Sequence, residues 1–219
     1  MPFRGYRAFL FDMDGTILTS IAAAERVWGD WAARHGIEVV SFLKGIHGRQ
    51  AVDTIRGAAL ANLDPVAEAE IIGRAELADT ADVLPIDGAP AFLRSLPAGA
   101  WAIVTSAPRA LAKVRLQAAG LPMPHTLITA EEVTCGKPEP ECDILGAKKL
   151  GVDVKECLIF EDANAGIRAG EAAGAEVVVV TQTHTHPMAT EHRSIRDYVG
   201  LTVSRGTDGG LWVDDAKCR

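Results

Sequence analysis

The sequence predicts an α/β fold: a parallel sheet flanked by helices, interrupted by one small helical insertion. Three observations carry that expectation. Compact apolar runs recur along the chain and end in hydroxyl or acidic residues, helix-like segments closed by glycine lie between them, and one long stretch breaks the alternation.

The first run, residues 8–12 (AFLFD), is too short for a helix and ends at a carboxylate. Gly15 and Thr16 then supply turn chemistry, so it reads as a buried strand with a loop at its end. Residues 17–84 contain several helix patterns and no convincing buried strand, which marks an inserted helical unit. Within it Ala24, Trp28, Trp31 and His35 recur at helical spacing before Gly36, and Asp64 with Pro65 makes an N-cap and first turn for a helix running through Leu77. The two tryptophans are expected to pack rather than to form a ligand platform.

The alternation resumes after the insertion. Residues 101–106 (WAIVTS), 157–162 (CLIFED) and 176–181 (EVVVVT) repeat the strand pattern. Residues 108–119, 140–150 and 164–173 read as helices stopped by Gly120, Gly151 and Gly174. Ligands of such sheets bind beyond the carboxyl ends of the strands, where Asp12, Thr105, Ser106, Glu161 and Asp162 would gather. Gly209, Gly210, Asp214 and Asp215 in the tail predict a loosely packed end.

Composition narrows the function classes. The chain has 219 residues, 48% hydrophobic and 5% aromatic, with a formal charge of -7, enough for a real interior but without a dense basic run. That pattern argues against a nucleic-acid binder, while a few cations in a cleft can still hold an anionic substrate. The opening residues MPFRGYRAFLFD hold no stretch of signal-peptide or membrane-span length. Cys135, Cys142, Cys157 and Cys218 form no CxxC pair, so a cytoplasmic protein with reduced thiols and no membrane partner is expected. His184, His186 and His192 follow a strand in a polar loop without the spacing of a zinc site, and no glycine cluster makes a Walker or dinucleotide fingerprint.

The most informative stretch is FDMDGTILTS at residues 11–20. Two carboxylates two positions apart, followed by a glycine turn, can converge on one atom, one as nucleophile and the other as acid/base. Taken alone, each remaining signal has a plain alternative. Thr105 and Ser106 would also cap the next helix, Lys137 in GKPEP would also be a surface lysine, and Glu161 with Asp162 would also be an acidic turn. In chain order they suggest one assembled phosphate site.

That ordered set resembles the four motifs of the haloacid dehalogenase superfamily, in particular the phosphatases with a helical cap between the first and second motifs. The likeness spans nearly the whole chain. The segments AERVWGDWAARHGI, GIHGRQA, AIVTS, GKPEPE and EDANAG are similar to bacterial sugar phosphatases and their 2-deoxyglucose-6-phosphatase relatives. It implies a Rossmann-like core formed by residues 1–16 and 85–219 and a cap at 17–84. It further implies hydrolysis of a small phosphorylated metabolite, a sugar phosphate above all, by a monomer or weak homodimer.

On the same resemblance Asp12 attacks phosphorus to form an aspartyl-phosphate, and Asp14 protonates the departing alkoxide and later deprotonates water. A carboxylate approaching a phosphate needs cations, so Mg2+ is expected against Asp12, the main-chain carbonyl of Asp14 and Asp162. Glu161 would orient a metal-bound water or a neighbouring group. Thr105 would bond the transferring phosphoryl with help from Ser106 and main-chain donors near Met13, and Lys137 would bridge nucleophile and phosphate. Arg49 and His47 are the cap candidates for substrate contact, and Ile17 and Leu18 for the hinge side of the cleft.

The resemblance associates a second aspartate at Asp14 with protonating an oxygen leaving group, which weighs against dehalogenation and phosphonate cleavage, and Lys44, the one lysine in the insertion, reads as a surface residue rather than a Schiff base. Two alternatives stay open: a sugar-phosphate mutase sharing every core residue, and a phosphometabolite-binding regulatory protein with negligible turnover.

Overall fold

The structure, a computed structural model, describes residues 5–207 and 209–215. Strand β1 (Ala8–Phe11) is followed by a tight loop and the two-residue strand β2 (Leu18–Thr19). Four helices come next: α1 (Ile21–Arg34), α2 (Val39–Leu43), α3 (Ala51–Gly57) and α4 (Pro65–Ala78). The chain returns through β3 (Leu84–Pro85), which pairs antiparallel with β2, so the helical insertion hangs from a ribbon two residues long.

Beyond the ribbon lie α5 (Ala89–Ser95), β4 (Trp101–Val104), α6 (Arg109–Ala118), β5 (Thr126–Ile128) and α7 (Glu141–Leu150). They are followed by β6 (Cys157–Glu161), α8 (Asn164–Ala173), β7 (Glu176–Val180) and β8 (Arg193–Ile195). An antiparallel hairpin of β9 (Leu201–Arg205) and β10 (Leu211–Asp215) closes the described chain.

Six strands form one parallel sheet in the order β5-β4-β1-β6-β7-β8. Parallel sheets bury both faces, and β1 shows why this sequence can do so. Phe9 and Phe11 point to one side with Trp101, Ile103, Leu158 and Phe160, whereas Ala8 and Leu10 point to the other with Ala102, Val104, Cys157 and Ile159. On the first face Phe11 stacks on Phe160 with ring centroids 4.7 Å apart.

The insertion has its own cluster of Ala24, Trp28, Trp31, Ala32, Ile46, Ile55 and Ile72. Asp64 caps α4 as expected, its carboxylate accepting from the amides of Val66 and Ala67. Ile17, Leu18 and Val83, at the two ends of the insertion, are buried in the sheet's core cluster.

Leu211 and Val213 are buried, and Tyr6 exchanges main-chain hydrogen bonds with Leu211, so apolar residues at alternate positions seat β10 on the core. The end of the tail, expected to be loosely packed, lies outside the described residues. Asp208 and residues 216–219, Cys218 among them, lie outside the described residues. The three described cysteines are free, and no described helix is long and apolar enough to cross a membrane.

Candidate active site

Strand β1 lies between β4 and β6, so the residues just past these three strands share one edge of the sheet. Asp12 follows β1, Thr105 follows β4, and Asp162 follows β6. Lys137 reaches the same point from the loop between β5 and α7.

Lys137 is buried, and its ammonium has three donors and three acceptors. Nζ donates to Asp12 Oδ1 at 2.7 Å, Glu161 Oε1 at 2.6 Å and the Val104 carbonyl at 3.1 Å. Burial opposes its charge, but Asp12 and Glu161 outweigh that and hold it well above the usual lysine range. Asp12 is pushed up to about 8 by burial, with Lys137 opposing and Glu161 adding to the shift. Burial, Glu161 and Asp12 together raise Asp162 well above the carboxylate range. Three carboxylates thus face one ammonium, and the excess of negative charge is what a divalent cation would balance.

Oxygens of Asp12, Glu161 and Asp162 lie within 4.8 Å of one another, a donor set suited to a hard cation. Glu161 already has both oxygens engaged, Oε1 by Lys137 and Oε2 by the amides of Asp162 at 2.9 Å and Ala163 at 3.1 Å. It therefore fixes the loop that carries Asp162. The Thr16 hydroxyl donates to Asp162 Oδ1 at 3.1 Å. Gly15 sits at φ 93°, and a Cβ there would fall 2.0 Å from Asp162 Oδ2, so only glycine lets the two loops meet this closely.

Asp14 is less buried than Asp12 and lines the same narrow pocket, with Thr105, Ser106, His47 and Arg49. Thr105 Oγ1 accepts from the amide of Ala107 at 3.1 Å. The Ser106 hydroxyl donates across to the Gly48 carbonyl of the insertion at 3.0 Å, so neither hydroxyl caps α6. His47 stands 3.7 Å from Glu25, and burial lowers its pKa despite that carboxylate. Arg49 lies exposed in the loop between α2 and α3 rather than on a helix.

A wider cleft of about 1000 Å³ adjoins this pocket on the Asp162 side, where His47, Arg49, Arg168, His184 and His186 contribute to its walls. His184 there bonds the Asp162 carbonyl through Nε2 at 2.9 Å, and His192 pairs with Glu171 outside that cleft.

Four polar or aromatic residues of the lining were not expected there from the sequence. Ser20 donates to Asp14 Oδ1, and the buried Arg115 does so at 3.0 Å while also pairing with Glu76 of α4 at 3.1 Å. Trp28 packs in the cluster of the insertion, as its burial tendency suggests, yet also lines the pocket. The readable signal was Arg115 itself: Leu111, Ala112 and Leu116 define the buried face of α6, and position 115 falls on it.

The model of the haloacid dehalogenase-like hydrolase family matches residues 6–174. Hexitol phosphatase A of Escherichia coli (strain K12) is 42% identical over 212 residues, covering 94% of this chain and 98% of that protein. Validoxylamine A 7'-phosphate phosphatase of Streptomyces hygroscopicus subsp. limoneus is 35% identical over 190 residues, covering 82% and 87%. Among solved structures, a hydrolase from Pseudomonas syringae superposes with a TM-score of 0.78 at 22% identity, covering 88% of this chain and 94% of that one.

Proposed function

Because the chain belongs to the haloacid dehalogenase-like hydrolase family, we propose that it hydrolyses small phosphomonoesters of sugars or sugar alcohols through an aspartyl-phosphate on Asp12. The observation that carries this reading is a buried carboxylate, Asp12, held at 2.7 Å by a buried ammonium, with a second carboxylate, Asp14, opening into the same pocket.

Asp12 attacks phosphorus, the bond from phosphorus to the leaving oxygen breaks, and that oxygen takes a proton from Asp14. Asp14 then accepts a proton from the water that cleaves the acyl phosphate. Lys137 neutralises charge where nucleophile and phosphoryl group meet, while Thr105 and the main chain around Met13 and Ser106 bond the phosphoryl oxygens. Asp12, Asp162 and the Asp14 carbonyl would hold magnesium, oxygens of Asp12 and Asp162 lying within 4.8 Å of each other. When bound it would supply further positive charge to offset the negative charge of the phosphoryl group.

Residues 17–84 act as the cap over a core of 1–16 and 85–219. The Ser106 to Gly48 hydrogen bond supports a closed arrangement in which this unit roofs the pocket. Arg49 and His47 at the mouth contact the substrate beyond its phosphate. The name of the Escherichia coli relative directs the choice of substrate toward hexitol phosphates.

The test is magnesium-dependent phosphate release across hexitol, hexose, deoxyhexose, pentose and nucleotide monophosphates, with Asp12→Asn as matched control. Activity concentrated on sugar and polyol phosphates and lost in the control is the expected result. Isomerised sugar phosphate without free phosphate would replace hydrolysis by mutase chemistry, and tight binding without either product would make the chain a phosphometabolite-binding protein.

A further inference from the structure

Asp14 is wired to the helical insertion at two points. Its Oδ1 accepts from Ser20, which sits at the head of α1, and from Arg115 of α6, whose other arm grips Glu76 on α4. Both contacts fall on one oxygen, which fixes the rotamer and leaves Oδ2 for a reacting oxygen.

Arg115 is 4% exposed and Glu76 is 8% exposed, so the pair is shut away from water where α4 packs on α6. Arg115 Nε is buried with no hydrogen-bond partner among the described residues. A guanidinium that accepts this cost is placed for the two carboxylates rather than for its own solvation. With one arm on each, its position depends on α4 being docked, and the Asp14 carboxylate depends on its position.

We propose that Arg115 is a positioning residue that holds the Asp14 carboxylate in its working orientation only while Glu76 of the docked insertion holds Arg115. The inference rests on the reading of Asp14 as the acid/base. On that reading, chemistry is enabled by closure, because an undocked α4 releases Glu76, then Arg115, then Asp14. A plain interdomain ion pair would stabilise the closed form equally for every substrate. A positioning role is selective in the first half-reaction, where it matters only if the leaving oxygen needs a proton; cleavage of the acyl phosphate needs it for every substrate.

The experiment compares sorbitol 6-phosphate, whose alkoxide must be protonated, with p-nitrophenyl phosphate, whose aryl oxide leaves as an anion, in the full-length protein with magnesium. Release of the leaving group is followed in single turnover, ahead of acyl-phosphate hydrolysis, and Asp14→Asn is the reference, expected to slow release of sorbitol much more than release of p-nitrophenolate. Arg115→Gln and Glu76→Gln should slow sorbitol release by on the order of 10²-fold, the lower end of what acid/base placement supplies. Release of p-nitrophenolate should stay within about threefold of the parent, since that departure needs no acid/base help, while steady-state turnover of both substrates falls with acyl-phosphate hydrolysis.

Arg115→Lys should recover part of the loss, and the Arg115→Gln, Glu76→Gln double variant should be no worse than Arg115→Gln alone. Equal losses of leaving-group release on both substrates, or additive losses in the double variant, would overturn the proposal. Should Arg115→Gln fail to fold, Glu76→Gln carries the same comparison, and parental activity on both substrates would overturn it. If the parent releases phosphate from neither compound, the phosphatase reading and this inference fall together. If Asp14→Asn shows the split and the Arg115 and Glu76 variants do not, only this inference falls.

Discussion

Replacing Gly166 by alanine tests how tightly the acidic end of β6 is packed. A Cβ at this position in α8 would lie 1.5 Å from Glu161 Oε1 and 2.0 Å from its carboxyl carbon. The carboxylate would have to retreat by roughly 2 Å to reach an ordinary van der Waals separation. That group accepts from Lys137 at 2.6 Å, from the Asp162 amide at 2.9 Å and from the Ala163 amide at 3.1 Å. None of these bonds survives such a shift.

Hydrogen bonds to a charged group contribute about 1.5–3 kcal/mol each, and losing them also leaves the buried Lys137 short of an acceptor. Alanine favours the helix over glycine by about 1 kcal/mol at most. With partial relaxation the net is a destabilisation of about 3–5 kcal/mol, the range seen when a buried ion pair loses one partner. Urea unfolding should show a lower midpoint at unchanged slope, and the thermal midpoint should fall by on the order of 10 °C. Phosphate release should fall as well, because Lys137 and the Asp162 loop both lean on Glu161. A variant as stable as the parent, with full turnover, would refute the idea that Glu161 is wedged between α8 and Lys137.

Lys137→Met should destabilise the metal-free protein by about 3–5 kcal/mol, since three buried carboxylates lose their ammonium; thermal unfolding in a chelator checks this, and an unchanged midpoint would contradict it. Magnesium at 100 times its Kd should stabilise the parent by about 2.7 kcal/mol, and Asp162→Asn should abolish most of that increment in the same melt. Burial pushes the Asp143 carboxyl up to about 7, with Lys137 opposing and Glu161 adding, and its Oδ2 is buried without a partner among the described residues. A pKa raised on folding means that the folded chain holds the proton more tightly, so ionisation of Asp143 costs stability as pH rises from about 4 to about 7. Asp143→Asn should therefore gain on the parent as pH rises, by on the order of 4 kcal/mol at pH 8 relative to pH 4; a pH-independent difference in urea midpoints would count against it.

The fold and the site were legible in the sequence to different depths. Runs such as AFLF and VVVV announce central strands because a sheet covered on both faces demands apolar residues at every position. By contrast β5 has three residues, β8 is Arg193–Ile195 with only Ile195 buried, and β10 alternates across a half-covered hairpin. Such segments take their conformation from neighbours, not from their own pattern. Likewise α5 is seven residues long and opens with Ala89 and Pro90 after Gly88, which reads as a turn when its packing partners are unseen.

Within the site, Asp12, Asp14, Thr105, Lys137 and Asp162 stand in short motifs whose spacing carries meaning. Arg115 and Glu76 are 39 residues apart and meet only through the docking of α4 on α6. Each appears on the apolar face of its own helix, beside Leu116 and four residues after Ile72. A charged residue on such a face signals a buried partner, but neither helix says which one. Thr16 and Gly166 were visible as turn and helix residues, and their tasks against Asp162 and Glu161 emerge only when β1 and β6 lie side by side.

The ribbon of β2 and β3 makes the insertion separable in an evolutionary sense. Only two crossing points join it to a sheet whose edge carries Asp12, Thr105 and Asp162, and the cluster around Trp28 and Trp31 gives it an interior of its own. Substitutions among its helices and loops can reshape what is admitted to the pocket while Asp12, Lys137 and Asp162 keep their mutual distances. New substrate preferences are therefore open to selection without rebuilding the chemistry, provided Ser20 and Glu76 are carried along.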